Sequence, residues 1–240
     1  MDAIQQVFVG HTRRATGAII VFVVLSLSLA GGALADKQVN STDQAIAARD
    51  VLRATDLPPV AKWKKINDNS KSDNSSFSCA GFNPKSSDLV TTGEASTTFV
   101  TPGAIVSSDV SLLSTADMLK QDWKRTFVPA LVPCLRSVFA KSVHNKLEIV
   151  SVQSLAFPKF APYTKAYRFG YRISAAGKPV QGVFDMVALG GNRTEIGLFV
   201  FANLGSSGNQ KAAAAAVTEV DEDLAQILVT RAFAPAAPIA

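Results

Sequence analysis

Between residues 114 and 142 apolar side chains return every four positions: Leu119, Trp123, Phe127, Leu131, Leu135 and Phe139, with Met118, Cys134 and Val138 beside them. That spacing lays one apolar stripe along a helix and leaves Lys120, Lys124, Arg125 and Arg136 away from it. Pro129 and Pro133 interrupt the run. Each removes a backbone donor and crowds the turn before it. The pattern therefore predicts a kink, or two abutting helices near Val128, with a sheet resting on the stripe.

The flanking segments change period. Residues 41–55 read as a first helix, with Ser41 and Gln44 spaced as a capping box and Leu57-Pro58-Pro59 stopping it. Trp63 and Ile66 form a short apolar anchor between lysines, and residues 67–78 are polar and low in complexity, a solvated loop leading into Cys79. Residues 89–100 and 105–113 are β-like runs broken at Thr101-Pro102-Gly103. Four more strands are expected over 147–157, 164–174, 180–189 and 194–203. In the second of them Tyr167, Phe169, Tyr171 and Ile173 share one face, and Arg168 and Arg172 the other.

Short glycine-bearing links at 175–178 and 190–193 make antiparallel hairpins. The last two strands are apolar on both faces, so both faces should be covered. One cover is the central helix. The other is a last helix over 211–231, with Val217, Val220, Leu224, Ile227 and Leu228 on its stripe and Glu219, Asp221, Glu222 and Asp223 outside. The expected fold is α+β: a mostly antiparallel sheet of five or six strands sandwiched by helices, with one disulfide.

The N-terminus adds a compartment. Arg13 and Arg14 precede an uncharged run over 15–35 whose centre is strongly apolar and whose end is Gly31-Gly32-Ala33-Leu34-Ala35. A positive flank, a short apolar segment and a small-residue exit are the parts of a secretory signal peptide, with cleavage between Ala35 and Asp36. The alternative is an uncleaved membrane anchor, for which 21 residues just suffice. Thr16 departs from a twin-arginine signal, and no cysteine sits near the exit for lipid attachment. The expected organisation is a signal peptide or anchor over 1–35, one domain over 36–235 and a frayed tail over 236–240. Export agrees with the cysteines: Cys79 and Cys134 are the only pair, and two cysteines in an exported chain favour a disulfide over buried free thiols. The net charge of +5 is spread singly along the chain, without the basic tract and aromatic array of a nucleic-acid binder.

The motif search sets aside most chemistry. There is no GxSxG, no Walker-type loop, no HExxH and no GxGxxG after a strand. The expected mature region has one histidine, His144, in a polar connector, which reads as a solvated residue rather than a general base. Metal ligation is not expected, because there is no CxxC and only that histidine. Asp185 and Glu195 lie in or beside apolar strands and are read as solvated or edge carboxylates, with a shifted general acid as the lesser alternative. Arg168 and Arg172 read as solvated charge, with an anionic headgroup as the lesser alternative. Three sequons, at Asn40, Asn74 and Asn192, matter only in a glycosylating host. The aromatic row Tyr167, Phe169 and Tyr171 is the candidate ligand-binding surface, an apolar pocket lining with phenols at its mouth. Its structural alternative is core beneath the last helix.

Leu57-Pro58, Cys79 ahead of Leu89-Val90-Thr91-Thr92-Gly93, Trp123 with Pro129, and Cys134-Leu135, followed by the meander and closing helix, resemble a group of exported actinobacterial proteins. These are secreted proteins, lipoproteins and kinase extracellular sensor domains that share a PsbP-like α/β/α sandwich. The resemblance spans residues 52–233. It implies ligand or partner binding in a cleft beside the sheet, without catalysis, and carries no motif residues across. The sensor domains typically have two disulfides; this chain has cysteines for one. The resulting expectation is a non-catalytic, sensor-like binding module, secreted or in the extracytoplasmic cell envelope. It would hold an apolar small molecule or lipid between sheet and helix, use no cofactor, bind no nucleic acid, and meet the membrane only through its N-terminal segment. A membrane-tethered structural or interaction protein is the alternative, and a secreted hydrolase using His144 or Asp185 the third.

Overall fold

The computed structural model describes residues 36–59, 61–66, 79–142, 147–175, 178–205 and 210–233. The expected signal segment, Asn74 and the rest of the polar loop 67–78, His144 and the tail 236–240 lie outside the described residues.

Eight strands form one open sheet: β1 (Asp36–Lys37), β2 (Lys64–Ile66), β3 (Val90–Thr101), β4 (Ala104–Leu113), β5 (Leu147–Ser154), β6 (Tyr163–Ala175), β7 (Lys178–Gly191) and β8 (Thr194–Gly205). Their spatial order is β1-β3-β4-β8-β7-β6-β5, and β2 joins β3 near its far end. Every pairing is antiparallel except β1 with β3. The sheet is thus mostly antiparallel, as the hairpin links predict, but the described residues give it eight strands rather than five or six. The two extra strands, Asp36–Lys37 and Lys64–Ile66, are too short to show a period of two. They exist because the outer edge of β3 offers unpaired backbone groups, and Asp36 and Gln38 donate to the Leu89 and Thr91 carbonyls at 2.9 Å each.

Among the described residues four α-helices cover the sheet. α1 (Ser41–Asp50) and α4 (Gln210–Phe233) lie on one face, and α2 (Ala116–Thr126) and α3 (Leu131–Ser142) on the other. The central amphipathic run is two helices, as its prolines require. Thr115 caps the first by accepting from Met118 N at 3.2 Å, and α2 ends where the Phe127 amide bonds Trp123 O. The first helix is capped one residue earlier than its capping-box spacing suggests. Asn40 Oδ1 accepts from Asp43 N at 2.9 Å, and Gln44 turns instead to the backbone of Glu94 on β3. α1 also stops at Asp50, and a separate 3₁₀ turn follows at Ala54–Asp56.

Alternation along the central strands makes two apolar layers. Val106, Val110, Val187, Leu198 and Val200 face Val217, Val220, Leu224 and Leu228 of α4. Phe169, Phe184, Met186 and Phe199 face Leu131 and Leu135 of α3. Leu119 and Trp123 of α2 close the neighbouring part of the second layer over Leu113 and Ala188. No helix among the described residues is long and apolar enough to cross a membrane.

Candidate functional site

The aromatic layer under α3 is built by cross-strand register. Phe169 of β6 pairs with Phe184 of β7, which pairs with Phe201 of β8. Their rings stack in sequence, with centroids 5.3 Å and 4.1 Å apart, and Phe199 adds a further ring at 6.1 Å from Phe184. Tyr167 and Tyr171 stand on the same face of β6, and all three members of the predicted row are buried. The helix over them is α3, whose Leu131, Cys134 and Leu135 are buried in the same cluster. The row is therefore core beneath the central helix system, not beneath the last helix, which lies on the opposite face.

The Tyr171 hydroxyl lies 2.9 Å from Asn203 Oδ1, to which it donates, and 3.3 Å from the Ala202 carbonyl oxygen. Burial pushes its phenol, and that of Tyr167, above the ordinary tyrosine range. The phenol end of Tyr171 lies close against Gly182, where an added Cβ would sit 2.2 Å from its Cζ. The rim of the layer is more open. Ile149 and Val152 of β5, opposite Tyr171 and Phe169, and Val180, opposite Ile173, are half-buried, as is Phe201.

The expected disulfide is present between Cys79 and Cys134, with Cα atoms 5.5 Å apart. It pins α3 through a tight turn in which Cys79 and Phe82 exchange backbone hydrogen bonds of 2.7 and 2.9 Å. Gly81 in that turn has φ of 83°, a backbone region that favours glycine. The turn delivers Phe82, also buried, into the aromatic cluster. Sequence spacing gives the bridge a partner but not this second anchor.

The charged candidates are placed differently from their sequence reading. Asp185 is fully buried on β7, an interior strand, rather than solvated or at an edge. Arg168, on the adjacent strand, is also buried. Its Nε donates to Asp185 Oδ1 at 2.7 Å, its Nη2 to Asp185 Oδ2, and the same Nη2 to Thr218 Oγ1 of α4 at 3.0 Å. Asp221, placed outside by the helix reading, is fully buried beside this pair, and burial together with the Asp185 charge raises its pKa well above the carboxylate range. Arg172 does face outward and pairs with Glu148 at 3.2 Å.

Glu195 is buried on the opposite face, where it meets Asp122 and Trp123 of α2; burial first, and then Asp122, raise its pKa. Asp122 also accepts from Thr126 Oγ1 at 3.2 Å. Among the described residues no group of three or more His, Cys, Asp or Glu side chains is placed to hold a metal ion.

The fold and disulfide define a three-layer α/β/α sandwich with an aromatic inner layer clamped by one cross-link. No protein-family model matches the sequence, and no curated protein matches it.

Proposed function

We propose that this chain is an exported, non-catalytic binding module of the cell envelope that holds an apolar or lipid-like ligand between the sheet and α3. The observation that carries this reading is the set of half-buried apolar side chains, Ile149 and Val152 of β5, Val180 of β7 and Phe201 of β8, that flank and pack against the buried aromatic ladder. A ligand chain seated on that rim extends the ladder without uncovering a charge. The disulfide and the sequence resemblance to exported sensor-like proteins support the extracytoplasmic setting.

One observation favours a structural or interaction role instead: the row itself is closed, with Phe169 fully buried and Tyr171 seated on Gly182. Native mass spectrometry separates the two. The full chain, exported through an oxidising route, is mixed with an envelope lipid extract. A retained lipid adduct that is lost on Ile149→Gln with Val180→Gln, in a variant that still unfolds cooperatively, supports the carrier reading. A bare folded protein across several extracts overturns it and leaves the partner-binding role, for which crosslinking is the next measurement.

A further inference from the structure

Beneath α4 the core encloses two carboxyl groups and one guanidinium. Asp185 on β7 receives two hydrogen bonds from Arg168 on β6. Thr218 on α4 accepts from the same guanidinium, and Asp221, three residues further on, is on the same side of the helix. Asp221 is fully buried, and neither of its carboxyl oxygens meets a donor. Arg168 is already committed to Asp185 and Thr218. The other charged neighbour, Glu222 of α4, adds a further negative charge. With both aspartates ionised, the site would hold an uncompensated buried charge next to a carboxylate, which costs several kcal/mol. One proton removes the conflict: a neutral Asp221 becomes a donor, and Asp185, with lone pairs left over from Arg168, is the acceptor beside it.

We propose that α4 is docked through a proton shared between Asp221 and Asp185, which makes the helix an alkali-sensitive latch over the apolar face of the sheet. Asp221 holds its proton more tightly when α4 is docked than when it is free, where its pKa returns to the ordinary 3.8. The stabilisation is therefore complete below that ordinary value and is lost as pH rises through the raised docked value. Within that window undocking releases one proton, so the opening equilibrium increases about tenfold per pH unit. What loosens is the cover over Val187, Leu198 and Val200, a second apolar surface distinct from the aromatic layer under α3.

The test is amide hydrogen exchange on the full chain between pH 5 and pH 10, corrected for intrinsic exchange, with α4 compared against the strands. Wild-type α4 should lose protection relative to β7 and β8 as pH rises. Asp221→Asn keeps a donor facing Asp185 but cannot ionise, and should flatten that loss. Asp185→Asn is the second variant. It leaves Arg168 to Asp221 alone, so Asp221 ionises as the guanidinium's partner and the alkaline loss should again disappear. Glu195 on the other face titrates in all three proteins and does not distinguish them. Wild-type α4 protection that is independent of pH, or an alkaline loss that persists in either variant, overturns the latch.

Discussion

Replacing Cys79 and Cys134 together by alanine should cost this protein about 4 kcal/mol, most of it through the unfolded chain. The bridge joins residues 55 apart, and the loop it closes contains β3, β4 and α2. In the chain-entropy description, −2.1 − 1.5R ln n with n near 55 is about −14 cal/mol/K, or about 4 kcal/mol at 25 °C. Losing the buried Cys134 sulfur adds roughly the burial of one methylene, about 0.8 kcal/mol. A domain stable by about 5–15 kcal/mol would be left at the edge of unfolding at the lower end of that range and folded above it.

The assay is urea unfolding followed by the fluorescence of Trp63 and Trp123 on the oxidised protein, the protein under reductant and the double variant. The latter two should agree within about 1 kcal/mol, with a lower midpoint and a steeper urea dependence than the oxidised form, because the unfolded chain exposes more surface once opened. A loss below about 1 kcal/mol with an unchanged slope would refute the reasoning. It would mean that the segment between the cysteines stays closed without the bridge, or that the bridge strains the native turn by as much as it restricts the unfolded chain.

Two further outcomes follow from single contacts. Gly182→Val should cost about 3 kcal/mol, at the upper end of overpacking, because even its Cβ would lie 2.2 Å from the Tyr171 ring on one side and 2.6 Å from the Ala202 carbonyl oxygen on the other; urea unfolding measures it, and a variant as stable as wild type contradicts the close approach. Arg193→Met should flatten the acid limb of stability: Arg193 Nη1 and Nη2 hold Asp43 at 2.7 and 2.5 Å and keep its carboxyl well below the carboxylate range, so the stabilisation present above the ordinary value of 3.8 is lost as pH falls towards the depressed one, and melting temperatures recorded from pH 5 down to pH 2 should drop less steeply in the variant than in wild type.

Periodicity made the long elements legible. The six long strands, the closing helix and the break of the central helix at its prolines are local consequences of spacing and backbone chemistry. The two edge strands were not, because two or three residues become a strand only when an existing edge pairs with them. The buried charges are hidden in the sequence for a different reason. Asp221 reads as solvated by residue type, yet it is four residues after Val217 and three before Leu224, squarely on the stripe. Asp185 likewise alternates in step with Val183 and Val187, and Arg168 with Ala166. Spacing puts all three inside, and only their charge points them towards solvent. Three charged residues at core-facing positions of three neighbouring elements are the signal that could have found the cluster, since a buried charge needs partners. The Cys79–Phe82 turn carried a weaker signal, Gly81 two residues after a cysteine.

The helices differ in what each would uncover on moving. Lifting α4 breaks into Arg168, Asp185 and Asp221, and lifting α2 reaches Glu195 beside Asp122 and Trp123; either motion disturbs buried ionisable groups whose exposure changes their protonation. The layer under α3 holds rings, aliphatic side chains, the half-cystine of Cys134 and one satisfied phenol pairing, Tyr171 with Asn203. An apolar guest can replace nearly every contact that α3 gives up there, so displacement on that side is compensated by like for like, whereas no apolar guest compensates Arg168 for the loss of Thr218 or Asp185 for the loss of Asp221. The bridge at Cys134 keeps the start of α3 tied to Phe82 and so limits any opening to the side of the rim. That asymmetry, rather than the presence of aromatic residues alone, is the physical ground for proposing a ligand site at α3 and a proton-dependent latch at α4.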